Sequence, residues 1–121
     1  MATRNALITY PQRGVIKVEW TGLLNGDQGD YQSLGNYPDK TISVRGTFGA
    51  GGSVSIQGTN DGGTTSDTIN DSRGEGNALT FTAQDMRTIL ENPQAIRPNV
   101  TAGDGTTSLT VTMYCQNLSR N

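Results

Sequence analysis

Histidine is absent from this chain of 121 residues, and cysteine occurs only once, as Cys115. Without histidine, the chain lacks the side chain that most often acts as a general base or binds a metal near neutral pH. A single cysteine excludes a disulfide within the chain, and its place in an alternating apolar series predicts a buried thiol. No candidate nucleophile stands beside an evident activating base. We therefore predict that the chain is not an enzyme and has no catalytic residues, cofactor or metal.

Large apolar side chains and charged clusters are also scarce. Apolar residues make up 32% of the chain, whereas globular domains usually have about 45–50% with glycine counted. The apolar runs are too short to cross a bilayer, and the nine basic residues form no cluster of the kind that binds nucleic acid. We predict no membrane and no nucleic-acid partner. The first ten residues lack the apolar stretch of a secretion signal, which predicts synthesis in the cytoplasm.

The chain is rich instead in short segments in which apolar and polar residues alternate, separated by turns of glycine, asparagine and aspartate. A period of two is typical of strands with one buried face. It predicts an all-β fold, an antiparallel β-sandwich or a jelly-roll-like barrel. The predicted strands are 15–20, 41–48, 53–58, 79–81, 96–100 and 109–115. The side chains predicted to be buried are Ile16, Val18, Trp20, Ile42, Val44, Phe48, Val54, Ile56, Phe81, Leu109, Val111 and Met113.

On the opposite face of these strands we expect Lys17, Glu19 and Arg45, because they alternate with the apolar positions. The glycine turn at 49–52 lies between two alternating segments and predicts a β-hairpin. Pro98 cannot donate a backbone hydrogen bond, which predicts that its strand lies at a sheet edge or carries a bulge.

One short helix is predicted after the strand at 79–81. Thr82 with Asp85 three residues later resembles a capping box, with aspartate in place of glutamate. Met86, Ile89 and Leu90 then form an apolar stripe at helical spacing. Asn92-Pro93 would end the helix, because the residue before proline disfavours the α region.

The organisation predicted from these patterns is a single β domain over residues 15–121, preceded by an extended N-terminal arm at 1–14. The arm has no clear period, although a short strand is expected near Leu7–Tyr10. Residues 21–40 are also aperiodic and predict a long surface loop. Structureless loops beyond about 12–15 residues usually have a function.

Two features of these aperiodic segments are candidates for a functional site. Residues 25–30, Asn-Gly-Asp-Gln-Gly-Asp, offer oxygen ligands to a hard cation, but they lack the spacing of a calcium loop, so we predict a plain loop. Apolar and aromatic side chains in the arm and the loop suit a contact with a partner, because amphipathic aromatics favour interfaces. The predicted partner-interface residues are Leu7, Ile8, Tyr10, Tyr31 and Tyr37.

Several of the strand and turn segments resemble small virion proteins of tailed bacteriophages. The resemblance is carried by Lys40–Gly49 with its GTFG motif, by Val54–Gly62 with its GTND-G turn, by the IRP segment at Ile96–Thr101 and by Thr107–Val111. It covers residues 15–116. These motifs specify a scaffold and no chemistry.

The resemblance implies a structural protein of the virion. Within the particle, its most natural place is the capsid surface, as a head decoration or cement protein that stabilises joints between capsomers. Such proteins are commonly β-rich trimers, so the implied partners are the major capsid protein and further copies of this chain. A tail or head–tail junction component is the alternative within the phage. A carbohydrate- or receptor-binding β-module, with surface aromatics as its site, is the alternative from another class.

Overall fold

The computed structural model describes residues 2–73 and 76–117, which form twelve strands in two sheets. The last four residues of the predicted domain, 118–121, lie outside this description. No helix long and apolar enough to traverse a bilayer occurs among the described residues. The strands are β1 (Thr3–Arg4), β2 (Leu7–Thr9), β3 (Val15–Leu23), β4 (Gln28–Gly29), β5 (Gln32–Ser33), β6 (Asp39–Thr47), β7 (Ser53–Thr59), β8 (Asp67–Thr68), β9 (Thr80–Phe81), β10 (Asp85–Thr88), β11 (Ala95–Ala102) and β12 (Ser108–Gln116).

The two sheets form a β-sandwich, so the predicted all-β sandwich is confirmed. The five-stranded sheet has the order β10-β6-β12-β3-β2, and every pairing in it is antiparallel. The seven-stranded sheet has the order β1-β4-β11-β7-β8, with β5 also paired to β11 and β9 to β7. The single parallel pairing joins β1 to β4. The three nine-residue strands β3, β6 and β12 thus lie side by side in one sheet.

One apolar core fills the space between the sheets, and its side chains alternate along the strands as predicted. Each predicted core residue is buried except Phe48, which is half-buried against the core. Cys115 is buried as expected. Lys17 and Glu19 are half-buried on the opposite face of β3, and Arg45 is exposed. The period of two therefore assigned the strand faces correctly.

The hairpin predicted around the glycine turn at 49–52 is wrong. β6 pairs with β10 and β12 in the five-stranded sheet, whereas β7 pairs with β8, β9 and β11 in the other sheet. The turn is a corner at which the chain crosses from one sheet to the other, with positive φ at Gly49 (75°) and Gly51 (67°). A glycine turn between two half-buried strands fits either connection, because both place apolar side chains in the same core.

The predicted helix is also wrong, because residues Asp85–Thr88 form β10 and pair with β6. Met86 is 60% exposed, and the Arg87 guanidinium lies over the Phe81 ring, 5.0 Å from its centroid. A helix of two turns has few hydrogen bonds to offset the free energy of nucleation. The edge of β6 supplies backbone partners to the same residues immediately, so the tertiary pairing prevails over the local pattern.

Pro98 lies inside the seven-stranded sheet and not at an edge, whereas the other predicted alternative, a bulge, is present in its strand as a register shift between Val100 and Ala102. β11 pairs with β7 on one side and with β5 and β4 on the other. The Val100 amide donates to the Asp27 carbonyl on the β4 side (2.8 Å), and the Pro98 nitrogen faces that side too, because amides alternate along a strand. On that side of β11, the pairing with β5 ends at Ile96, and the pairing with β4 is at Asn99. The missing donor of proline therefore falls between two short partner strands.

The predicted loop at 21–40 contains two of these short strands, β4 and β5, and its Leu23 and Leu34 side chains are buried. Gly29 in β4 provides space at the point where the sheets meet. A Cβ atom there would lie 2.6 Å from Cδ of Pro98 and 2.6 Å from Nε1 of Trp20. Carbon atoms prefer contacts of about 3.5–4.0 Å, so glycine is the residue that fits between these two rings.

We expect the Gly29→Ala substitution to lower the free energy of unfolding by about 1–3 kcal/mol, the usual effect of overpacking a core. Gly35→Ala is the matched control, because its Cβ would meet no heavy atom within 4 Å; its effect should stay within about 0.5 kcal/mol. Urea denaturation of the three proteins measures both values. Equal effects of the two substitutions would contradict the packing role of Gly29.

Candidate functional site

The outward face of the five-stranded sheet presents side chains in register across all five strands. One row is Met86, Ser43, Thr112, Glu19 and Leu7. The next row is Thr88, Thr41, Tyr114, Lys17 and Thr9. Hydroxyl groups make up the middle of both rows, and one carboxylate and one ammonium group stand side by side on β3.

This face has the properties of a protein-binding surface. Threonine is stiff at χ1, so ordering these side chains against a partner would cost little conformational entropy. Lys17 and Glu19 are half-buried, and Glu19 Oε2 accepts a hydrogen bond from Thr112 Oγ1 (3.2 Å). The face therefore carries one positive and one negative side chain among its hydroxyl groups, and we take it as the candidate functional site.

Exposed apolar side chains lie at the margins of this face. Leu7 is 62% exposed, Ile8 37% and Tyr10 69%, on or beside edge strand β2. At the opposite margin, Met86 on β10 is 60% exposed and Leu90 45%. Contiguous exposed apolar patches mark interaction sites, whereas apolar side chains scattered singly are ordinary on a surface.

The five predicted partner-interface residues do not form a single surface. Leu7, Ile8 and Tyr10 come together at the β2 edge, whereas Tyr31 belongs to the other sheet, where Arg97 lies over its ring at 4.4 Å. Among the described residues, no hydrogen-bond partner reaches the buried hydroxyl of Tyr31. Tyr37 packs partly against the core. Their role in binding stays a prediction, and the structure separates them into three locations.

The N-terminal segment is docked on the domain that follows it. β1 pairs with β4 and β2 pairs with β3, so the segment contacts both sheets. The Asp27 carboxylate, 4% exposed as a residue, accepts hydrogen bonds from the amides of Ala2 and Leu24 and from Nε of Arg4, each at 3.0 Å. These contacts hold residues 2–4 against the segment at 24–30.

Asp30 makes a second connection of the same kind. Its carboxylate accepts from Nε1 of Trp20 (2.9 Å), from the Ala6 amide (3.0 Å) and from Nε2 of Gln32 (2.9 Å). Asp27 and Asp30, the acidic residues considered as ligands of a cation, thus accept hydrogen bonds from the chain itself. The described residues contain no group of three or more Cys, Asp or Glu side chains placed to hold a metal ion.

The sequence analysis missed a buried lysine. Lys40 is 1% exposed, and its Nζ donates to the Tyr37 carbonyl (2.8 Å) and to Oδ1 of Asn92. Burial lowers the pKa of Lys40. Its cross-strand neighbour is Cys115. Burial raises the pKa of the Cys115 thiol to about 12. The sequence pattern does indicate this burial, because Lys40 alternates in phase with Ile42 and Val44 on β6.

A polar cleft of about 490 Å³ lies at the β8 edge of the other sheet. Its floor is Gly58, Ile69 and Pro93, and Glu91 in its wall accepts from the amide and from Nδ2 of Asn70, both at 2.7 Å. The rest of the wall consists of Thr59, Asn60, Thr65, Asp67, Thr68 and Asn92. This lining contains no aromatic ring, whereas the carbohydrate-binding alternative placed its site on surface aromatics.

Comparison with known proteins gives a structural match without a sequence match. No protein-family model matches the chain, and no curated protein matches it significantly. Among solved structures, the SPBc2 prophage-derived protein YomS is similar with a TM-score of 0.63 and 9% identity, over 88% of this chain and 98% of YomS. The chain has a YomS-like fold. At this identity the likeness shows the shared fold alone.

Two further solved structures overlap less well. KdgF from Halomonas sp. gives a TM-score of 0.46 at 11% identity, over 94% of this chain and 79% of KdgF. Peruvianin-I, a cysteine peptidase from Thevetia peruviana latex, gives 0.45 at 16% identity, over 85% of this chain and 50% of that protein. These two overlaps carry no argument about this chain.

The Asp27 contacts predict a pH dependence. Burial acts to raise the pKa of Asp27, but the hydrogen bonds from Leu24, Arg4 and Ala2 outweigh it, and the pKa is lowered. A carboxyl group with a lowered pKa stabilises the fold above its unfolded pKa, about 3.9. This stabilisation is lost as the pH falls through the folded pKa.

We therefore expect Asp27→Asn to lower the free energy of unfolding by about 1.5–3 kcal/mol at pH 7, the usual range for hydrogen bonds to a charged group. The difference from the unsubstituted chain should shrink steadily below about pH 4, as Asp27 itself becomes protonated. The control is Asp67→Asn, a substitution at an exposed position in the cleft. It should change the free energy of unfolding little, both at pH 7 and below about pH 4. Denaturation curves at a series of pH values test this, and a difference that is independent of pH would refute the role of the ionised carboxylate.

Proposed function

We propose that the chain is a structural protein of a tailed-bacteriophage virion, bound to the outer capsid surface as a head decoration or cement protein. The observation that carries the proposal is the fold shared with YomS, a prophage-derived protein, over 88% of this chain and 98% of the other. An overlap that is nearly complete in both directions supports a common architecture for the whole domain. It agrees with the resemblance to small virion proteins.

The structure supports this resemblance in one further respect. The segments that carry it become β6, β7, β11 and β12, which are interior strands of the two sheets. The turns in these segments connect the strands of the sandwich. A fold built in this way provides a rigid platform, which suits a protein whose function is to bind and brace a larger assembly.

The outward face of the five-stranded sheet is the proposed contact with the major capsid protein. Its hydroxyl-rich rows give hydrogen-bonding groups with little ordering cost, and the apolar side chains at its margins give area to bury. Self-association is part of the proposal, because exposed apolar side chains also lie at the sheet edges. The trimer implied by the resemblance is one form that such an oligomer can take.

The decisive measurement is the copy number and location of the chain in purified particles of the phage that encodes it. We expect hundreds of copies, imaged on the head, that a chaotropic salt removes while the tails stay attached. A few copies at the tail or the neck would replace the proposal with the tail or junction alternative. Glycan binding by a chain that is absent from the particle would favour the carbohydrate-binding alternative.

A substitution on the outward face tests the proposed contact. Ser43→Lys places an ammonium group beside Thr112, in the row that runs from Met86 to Leu7. We expect it to weaken binding to particles that lack the chain by about tenfold or more, which corresponds to ~1.4 kcal/mol. Thr101→Lys, at an exposed position on the other sheet, is the control and should bind normally. Both variants should melt near the parent temperature. Equal binding of the two variants would exclude this face as the contact.

A further inference from the structure

Strand β2 is an open edge of the five-stranded sheet. Within the described residues it pairs with β3 alone, through Leu7, Ile8 and Thr9. The opposite edge strand, β10, is partly covered, since the Thr88 carbonyl accepts from the Ser72 amide (2.9 Å). In the other sheet, β8 and β9 together cover the outer side of β7. The far end of that sheet is β1, which has only two residues and includes Arg4. β2 is thus the longer, uncharged edge at which a further strand has room to add.

The side chains of β2 lack the features that usually protect an edge. Natural edge strands are blunted by shortness, charge, proline or a bulge; Leu7–Thr9 is short, at three residues, but contains no charge, proline or bulge. Its charged neighbours, Lys17 and Glu19, lie one strand behind it on β3. Leu7 is 62% exposed on the outward face, and Ile8 is 37% exposed on the inward face. The edge therefore offers unpaired backbone groups together with apolar side chains on both faces.

We propose that β2 pairs antiparallel with β2 of a second copy of this chain, so that two five-stranded sheets join across a two-fold axis. The segment 5–10, Asn-Ala-Leu-Ile-Thr-Tyr, carries no charge, so two copies meet without repulsion. Centring the axis on Ile8 pairs all three residues of the strand, with Ile8 against Ile8 and Leu7 beside Thr9. A contact of one surface with itself closes at two copies.

The size of this contact sets its strength. Three paired residues on each side bury much less than the roughly 1,200–2,000 Å² of stable interfaces. The pairing is therefore weak and depends on concentration in solution. This contact follows from the β2 edge alone and is independent of capsid binding.

A disulfide at the centre of the contact tests it directly. Opposed residues of antiparallel strands have Cα atoms about 4.5–5.5 Å apart, within the range that a disulfide spans. Ile8→Cys should give a covalent dimer under mild oxidation at concentrations at which Leu24→Cys, exposed but away from β2, stays monomeric. The native Cys115 does not interfere, because its thiol is fully buried.

A second variant confirms the reversible contact. Leu7→Lys should weaken self-association in sedimentation equilibrium by about tenfold or more, whereas Leu24→Lys, a matched exposed position, should not change it. A trimer in sedimentation with no Ile8→Cys dimer would overturn the two-fold contact, and so would a monomer at all concentrations. Dimers from a chain that is absent from particles would sink the capsid proposal and leave this contact intact.

Discussion

A buried indole needs a hydrogen-bond acceptor for its nitrogen, and much of this structure follows from how Trp20 obtains one. The ring is fully buried, and Nε1 donates to Oδ1 of Asp30 and to its carbonyl, at 2.9 and 3.3 Å. An unpaired donor at this depth would cost about 1–3 kcal/mol. The bond therefore holds the segment around Asp30 across the end of the sandwich, and it joins a strand of one sheet to the edge of the other.

Further parts of the structure depend on that connection. With the Asp30 segment in place, β4 lies beside β11, and Gly29 fits between the rings of Trp20 and Pro98. Asp27 and Asp30 then accept hydrogen bonds from the backbone of the N-terminal segment, which directs β2 onto β3. The open edge of the five-stranded sheet is thus a consequence of how one buried aromatic ring is satisfied. Asp27 and Asp30 connect the N-terminal segment to the part of the structure that packs around Trp20.

The proposed function agrees with this distribution of chemistry. Lys40 and Cys115 are both buried in the sheet. Burial lowers the pKa of Lys40 and raises the pKa of Cys115, so it disfavours the charged form of each. The accessible face is rich in hydroxyl side chains, carries Lys17 and Glu19, and has apolar margins. A face of this kind offers contact area and hydrogen bonds, and a β-sandwich holds it rigid. These are the properties required of a protein that braces an assembly.

The sequence by itself determined the fold class, the faces of the long strands and the burial of nearly all the side chains that it assigned to the core, because a period of two is a local property that each strand carries independently. It also placed Leu7, Ile8 and Tyr10 among the candidate contact residues. The tertiary structure alone decided which strands pair. The turn at 49–52 became a corner between sheets, the segment at 85–88 became an edge strand, and Pro98 entered a sheet interior. In each case the deciding partner lies far away in the chain, on β12, β6 or β4, and no local pattern contains that information.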